Sequence, residues 1–314
     1  MSASTDGDRD AWPRLHTADW METSTTLLLW AQLLGKTRLA CCPMTNQWWQ
    51  VALYTTARGL GTSPIPFGDR VFDIELDFLA HRLVMRSSDG AVDSMTLGDR
   101  SVASFYAEYM DKLRRLGLAA RVWPVAVEVP ERVRLDQDSR PRRYDADWAN
   151  RFFRALVQAD RLLKQFRGGF VGKASPVHFF WGGFDLCATR FSGRRAPPHP
   201  GGYPNVGDWV MREAYSEEVS SAGFWPGNGM FPEAAFYSYA YPEPPAFKEA
   251  PVRPDGARYE TKLGEFILPY RVVRESADPS AAVRDFLEST YLAAATLARW
   301  DRPALERGSG FALI

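Results

Sequence analysis

The sequence predicts an α+β protein built from two pseudo-symmetric halves, each reading helix, antiparallel strands, helix. Three observations lead there. First, the chain resembles itself: Asn46-Gln47-Trp48-Trp49 through Arg58 lies over His178-Phe179-Phe180-Trp181 through Arg190 without a gap, at a constant offset of 132 residues. Second, the same offset carried backwards places the helical stretch 22–35 on 154–167 and Leu39 on Val171. Third, period-two alternation and tight-turn signals mark several short strands between the helices. A repeat of this length suggests two copies of one α/β unit packed so that each covers the other's apolar face, with a cleft at the join.

The elements follow in order. Thr23 to Leu34 reads as a helix that is apolar nearly all round (Leu27, Leu28, Trp30, Leu33, Leu34), hence buried, with Gly35 as its stop. Strands are expected over 37–42, 48–56 and 71–78; in the last, Val71, Asp73, Glu75 and Asp77 alternate with Phe72, Ile74, Leu76 and Phe78. Residues 82–86 and 92–97 pair across Ser88-Asp89-Gly90, a hairpin signal. Ser101 caps a helix carrying Phe105, Tyr109, Leu113 and Leu116 that ends at Gly117, and one more strand is expected over 122–129. In the second half a helix over 147–167 shows a stripe of Phe152, Leu156, Ala159, Leu163 and Phe166, ended by Gly168-Gly169. Strands are read over 177–191, 213–221, 235–241 and 265–270, and Asp278-Pro279 starts the last helix.

These readings divide the chain into a disordered start (1–11), a first α/β repeat (12–129), a polar Arg-rich linker (130–146) and a second repeat (147–314). From Arg58 to its closing helix the first repeat spends about 43 residues, and the second about 90 for the same interval. The surplus is Gly/Pro-rich and aromatic, at 194–208, 223–232 and 242–258. A disordered linker would not carry Trp209, Phe224, Trp225, Phe231 and Phe247, so these segments are expected to fold over the second sheet as a lid or cleft wall.

Composition narrows the function. With 46% apolar residues, 24% charged residues and a formal net charge of zero, the 314-residue chain lacks the basic surplus that nucleic acid requires. It has no run of roughly 20 apolar residues to span a membrane, and its acidic start is not a secretory leader. Cys41, Cys42 and Cys187 have neither disulfide-framework nor zinc spacing, which suggests a cytoplasmic setting. No phosphate loop, dinucleotide fingerprint, nucleophile elbow or zinc-protease helix is present.

Several strings are similar to a bacterial family described as domain of unknown function 5996. They are Gly35-Lys36, Thr62 to Pro66, Ser175 to Gly182, Thr189 to Arg194, Met211 to Ser216, Gly223 to Gly227 and Gly264 to Tyr270. The resemblance covers nearly the whole chain and implies no established activity. In the family pattern histidine stands at the positions of Leu28, Gln47 and Glu217, and with His178 those would invite a metal. Here the three positions hold an alkyl group, an amide and a carboxylate, so the resemblance implies a metal lost or never bound. A divergent member of this kind suits a specialised biosynthetic step.

The densest cluster of chemistry lies along 178–190. If that segment is one strand, His178 and Phe180 point one way, and Phe179, Trp181, Gly183, Asp185 and Cys187 the other, unless Gly182-Gly183 bulges it. Asp185 in an apolar strand needs a partner, either a ligand or an arginine such as Arg190 or Arg58. Glu217 shares a strand face with Tyr215, and Tyr237, Tyr239 and Tyr241 form a phenol stripe; His81 and His199 lie near turns and are expected to be exposed. The reading is a small-molecule enzyme without nucleotide cofactor, of lyase, isomerase, cyclase or hydrolase type, working in an aromatic-lined cleft. Acid/base chemistry would come from His178, Asp185 and Glu217. Trp49, Arg58, Trp181, Arg190, Tyr215, Trp225, Tyr237 and Tyr239 would contact substrate. The alternative is a ligand-binding or sensing module using the same pocket. A lesser alternative is a metal at His178 with Asp185 or Glu217. Oligomeric state is not legible.

Overall fold

The computed structural model describes residues 11–228 and 231–308; the expected disordered start, apart from Ala11, and positions 229–230 of the second insertion lie outside the described residues. Helices pack on two antiparallel sheets, which is the α+β class expected. Helix α1 (Thr17–Cys41) runs through the middle, with Leu27, Trp30, Ala31, Leu33 and Leu34 fully inaccessible. A 3-10 segment (Asn46–Val51) leads into the first sheet, formed by β1 (Tyr54–Thr55), β2 (Gly59–Gly61), β4 (Arg70–Asp77), β5 (Arg82–Ser87) and β6 (Val92–Thr96) in that order, with β3 (Ile65–Phe67) on β4. Helix α2 (Val102–Arg115) closes this half; the Ser101 hydroxyl caps it, accepting from Ser104 N at 3.1 Å.

The second half opens with α3 (Ala146–Gly168), capped by Asp145 at 3.1 Å from Trp148 N. Then come β7 (His178–Phe180), β8 (Asp185–Arg195), a short helix α4 (Asp208–Ala214), β9 (Glu217–Trp225), β10 (Ala235–Tyr241), β11 (Arg258–Glu260) and β12 (Glu265–Pro269). Their order across the sheet is β11-β12-β10-β9-β8-β7. Helices α5 (Tyr270–Glu275), α6 (Pro279–Leu297) and α7 (Arg302–Leu305) finish the chain's described part, with α6 starting at Pro279 under an Asp278 cap. Leu53 and Phe179 exchange backbone hydrogen bonds of 2.8 and 2.7 Å and so join the two sheets. A continuous apolar core reaches from Trp12 to Trp300.

Several expected elements are different, each for a local reason. The strand read over 37–42 is the last turn of α1: the Thr37 hydroxyl bonds the Leu33 carbonyl at 2.8 Å and Tyr109 Oη at 2.6 Å, holding the helix past Gly35. Gly35 is not a stop but a contact point, because a Cβ there would sit 1.8 Å from Trp181 Nε1. The strand over 48–56 shrinks to β1 behind the 3-10 segment, where Gln47 and Trp48 take positive φ (52° and 62°). The aligned stretches 46–58 and 178–190 therefore differ in local structure, although both halves keep the order helix, sheet, helix.

No strand forms over 122–129 beyond a Val125–Arg134 bridge, because the Gln32 side chain takes both backbone groups of Val127, at 2.8 and 3.0 Å. The long strand over 177–191 is a hairpin, β7 and β8, turning at Trp181 to Phe184. Residues 208–214 are helical and β9 runs on to Trp225, so 223–225 belongs to the sheet rather than to an insertion. The 130–146 linker is tied down: Leu135 is fully buried, and Asp138 accepts from Arg140 at 2.8 Å and from Arg142 at 2.6 Å.

Overpacking the α1–Trp181 contact tests this arrangement. Gly35→Ala is expected to lose about 1–3 kcal/mol of stability, measured by urea denaturation, despite the better helix propensity of alanine. A stabilised variant would show that the indole does not lie against α1.

Candidate functional site

The hairpin turn decides which side chains share a face. Because Phe180 pairs with Asp185 and His178 with Cys187, all four project from the same side of the sheet. Across the sheet this face continues through Ser221, Gly223 and Trp225 on β9, Tyr237, Tyr239 and Tyr241 on β10, and Glu265 and Ile267 on β12. The opposite face, with Leu186, Ala188, Phe224, Phe236, Phe266 and Leu268, is buried in the main core.

Asp185 and Tyr237 stand on strands separated by β9, yet the Tyr237 hydroxyl donates to the Asp185 carboxylate. Gly223 makes the reach possible: a Cβ there would lie 2.6 Å from Tyr237 Oη and 2.3 Å from the Leu186 carbonyl oxygen. The Asp185 carboxyl is half-buried and has no arginine partner among the described residues; loss of solvent pushes it up to about 6, against the Tyr237 hydrogen bond, which lowers it.

A second carboxylate lies beside Asp185, and a third shares its sheet face. Glu128, at positive φ (58°), brings its carboxyl against the hairpin turn, where a Cβ on Gly182 would be 2.1 Å from Oε1. The position a Gly183 Cβ would take is 2.7 Å from Asp185 Oδ1 and 3.7 Å from Glu128 Oε2, so the two acids flank the turn together. Glu128 is exposed as a residue, yet its carboxyl lies against the turn; desolvation, then the charge of Asp185, pushes it up to about 7. Glu265 is raised to about 8 by the same two causes in the same order. None of the three carboxylates makes an ion pair among the described residues.

The segment between β8 and α4 forms a wall of this basin. The Glu128 amide donates to the Pro204 carbonyl at 2.8 Å, and Tyr241 Oη donates to the Pro197 carbonyl at 3.1 Å. His199, expected to be exposed at its turn, is drawn in: its ring stacks on Tyr215 at 4.6 Å. Tyr215 and Tyr239 share a hydroxyl hydrogen bond of 2.8 Å, and the rings of Tyr237 and Tyr239 stack at 6.1 Å. Tyr203 is exposed, with its ring 6.1 Å from that of His199; its phenol is raised first by desolvation, then by Glu128, Glu265 and Asp185. At the other end Phe180, Trp225, Leu263 and Ile267 make a small apolar patch around Tyr237.

The expected site residues therefore separate into groups. Asp185, Tyr215, Tyr237, Tyr239 and Trp225 share the basin face. His178 stands at its edge, fully buried between Trp49 (6.5 Å) and Phe180 (4.5 Å), with no hydrogen-bond partner on either ring nitrogen. Burial and then the charge of Arg38 push it down to about 3, so it is a neutral imidazole. Glu217 is bound to Lys173 at 2.5 Å and lies eight residues along β9 from Trp225, about 26 Å away. The trio His178, Asp185 and Glu217 is thus not brought together. Among the described residues no three His, Cys, Asp or Glu side chains are grouped closely enough to hold a metal ion.

The remaining candidates serve the frame. Arg58 pairs with Asp77 at 2.5 Å in the first sheet. Trp181 Nε1 donates to the Val51 carbonyl at 2.8 Å. Arg190 faces the core, its guanidinium 3.4 Å from the Phe166 ring centre and bonded to the Phe166 carbonyl. Sequence reasoning passed over Glu128, Glu265 and Tyr203 and expected His199 to be exposed; of these, Glu128 and Glu265 are the acids. The first two carried a signal, each being a lone acid inside an apolar run (Val127-Glu128-Val129, Glu265-Phe266-Ile267-Leu268).

Carboxyls raised in the folded state bind more protons folded than unfolded, so the stability they contribute falls as pH rises. Glu265 moves from about 4.3 unfolded to about 8 folded. Wild-type stability relative to Glu265→Gln is therefore expected to fall steadily between about pH 5 and about pH 8.5, read by urea denaturation across that range. Parallel pH profiles for the two proteins would contradict the assignment.

No curated protein and no solved structure matches the chain. A family model described as a family of unknown function, DUF5996, matches residues 12–307, nearly the whole chain. The chain belongs to that family.

Proposed function

We propose that the protein is an enzyme that moves protons on a small organic molecule without a nucleotide cofactor, and that the basin around Asp185 is its active site. The observation that carries this reading is the Asp185–Glu128 pair at the Gly182-Gly183 turn, with no ion pair among the described residues, a phenol aimed at Asp185 and Glu265 on the same sheet face. Groups displaced toward neutrality are suited to exchanging protons at physiological pH. Asp185, raised to about 6, is the member that is ionised at neutral pH and acts as base; Glu265, raised to about 8, keeps its proton and acts as acid. Tyr237 orients Asp185, and Tyr203, Tyr215 and Tyr239 supply ring faces and hydroxyls to the substrate. Lyase, isomerase and cyclase steps need these groups alone. A covalent route through Cys187 does not fit, since burial pushes its thiol well above the ordinary range.

A second reading, a binding or sensing module, is favoured by the ring content of the same wall, where His199, Tyr215, Tyr239 and Tyr241 form a cluster of stacked, tilted and edge-to-face rings. A cytoplasmic setting accords with free Cys41, Cys42 and Cys187, and no helix among the described residues is long and apolar enough to cross a membrane.

Untargeted mass spectrometry of a metabolite extract incubated with wild-type protein and with Asp185→Asn separates the two. The enzyme reading expects one compound to be consumed by wild type and its turnover to drop about 10²–10⁴-fold in Asp185→Asn, while Glu217→Gln and Arg58→Gln stay close to wild type. Equal conversion by Asp185→Asn would remove this basin from the chemistry. A compound retained but never converted would favour the binding module.

A further inference from the structure

Two lysines withdrawn from solvent are paired with carboxylates: Lys112 stands 2.9 Å from Asp93 and Lys173 2.5 Å from Glu217. Lys36 is the exception. It lies one turn beyond Gln32 on the same face of α1 and is only 3% exposed, yet its amine makes no hydrogen bond or ion pair among the described residues. What it meets is the flat face of Trp181, with the nitrogen 5.4 Å from the ring centre. The nitrogen is not sealed in, in contrast to the enclosed and unpartnered ring nitrogens of His178. A lysine is almost never this deep without a counter-charge, because an ammonium taken from water without a partner is costly. The indole face offsets part of that cost. Burial pushes the amine down to about 8, so part of the molecules carry a free lone pair at neutral pH.

We propose that Lys36 is a nucleophilic amine whose partner is the carbonyl group of a small aldehyde or ketone, held as an imine beside Trp181. This site goes beyond the acid–base basin and does not depend on it. The nitrogen lone pair attacks the carbonyl carbon. Both hydrogens of the neutral amine leave with the carbonyl oxygen as water, and a C=N bond replaces C=O; no oxidant or reductant takes part. A desolvated lysine without an ion pair is activated for this step, since its lone pair is not tied up by a proton or an acid. Protonated at nitrogen, the imine keeps a positive charge over the indole, where the ammonium stood.

Reductive trapping on the full chain tests this without any variant. Propanal and cyanoborohydride are added at about pH 7, and the alkylated lysines are located by peptide mass spectrometry over time. Each unit by which an amine is lowered gives about tenfold more free base at neutral pH, so Lys36 is expected to react about tenfold faster than the exposed Lys248 and Lys262. In urea the three are expected to react alike, because the advantage belongs to the fold. If Lys36 in the folded chain reacts no faster than Lys248 and Lys262, or keeps its lead in urea, the proposal is overturned. Neither result bears on the metabolite experiment with Asp185→Asn, so the two sites stand or fall separately.

Discussion

Trp181 lies across α1 with its indole nitrogen on the Val51 carbonyl, and Gly35 leaves room for it. Much else depends on this contact. It pins the turn of the β7–β8 hairpin, so Gly182 and Gly183 come to rest where the Glu128 carboxyl can lie against them. One turn earlier on the same helix, Gln32 holds Val127 by both backbone groups and thereby delivers Glu128 to that turn. Helix, hairpin and the irregular 122–129 segment thus meet at one place. Leu53 and Phe179 join the two sheets beside it.

The basin that results works against stability. Carboxyls that lose part of their hydration and meet no counter-ion among the described residues carry a cost that an ordinary surface avoids by pairing acids with arginines. The chain does pair them elsewhere: Asp77 with Arg58, Asp138 with Arg140 and Arg142, Glu217 with Lys173, Glu218 with Arg194. Asp185, Glu128 and Glu265 make no such pair among the described residues. Local frustration of that kind is expected where a ligand completes the arrangement.

The fold class and the order helix, sheet, helix were legible because long amphipathic stripes and hairpin signals are local properties. Phe152 to Phe166 and Ser88-Asp89-Gly90 needed no tertiary information. The errors came where a side chain elsewhere overrode a local signal. Gly35 looked like a helix stop but accommodates Trp181; Gln32 took the hydrogen bonds that residues 122–129 would have given to a strand. For the site, Asp185 and the tyrosine stripe were visible as polar groups in apolar strands. Their partners were not, because Glu128 reaches the basin from the other half of the chain and Tyr237 reaches Asp185 over Gly223, a strand away. His178 and Glu217 attracted attention by residue type alone, and only burial and the Lys173 contact show how each is committed.

The central claim is that three carboxyls are held together near neutrality, and side-chain carboxyl 13C NMR measures this directly. With resonances assigned by difference against Asp185→Asn, Glu128→Gln and Glu265→Gln, the account predicts three carboxyls titrating between about 6 and about 8. Midpoints for all three near about 4, the ordinary carboxylate range, would show solvated or paired acids and contradict it.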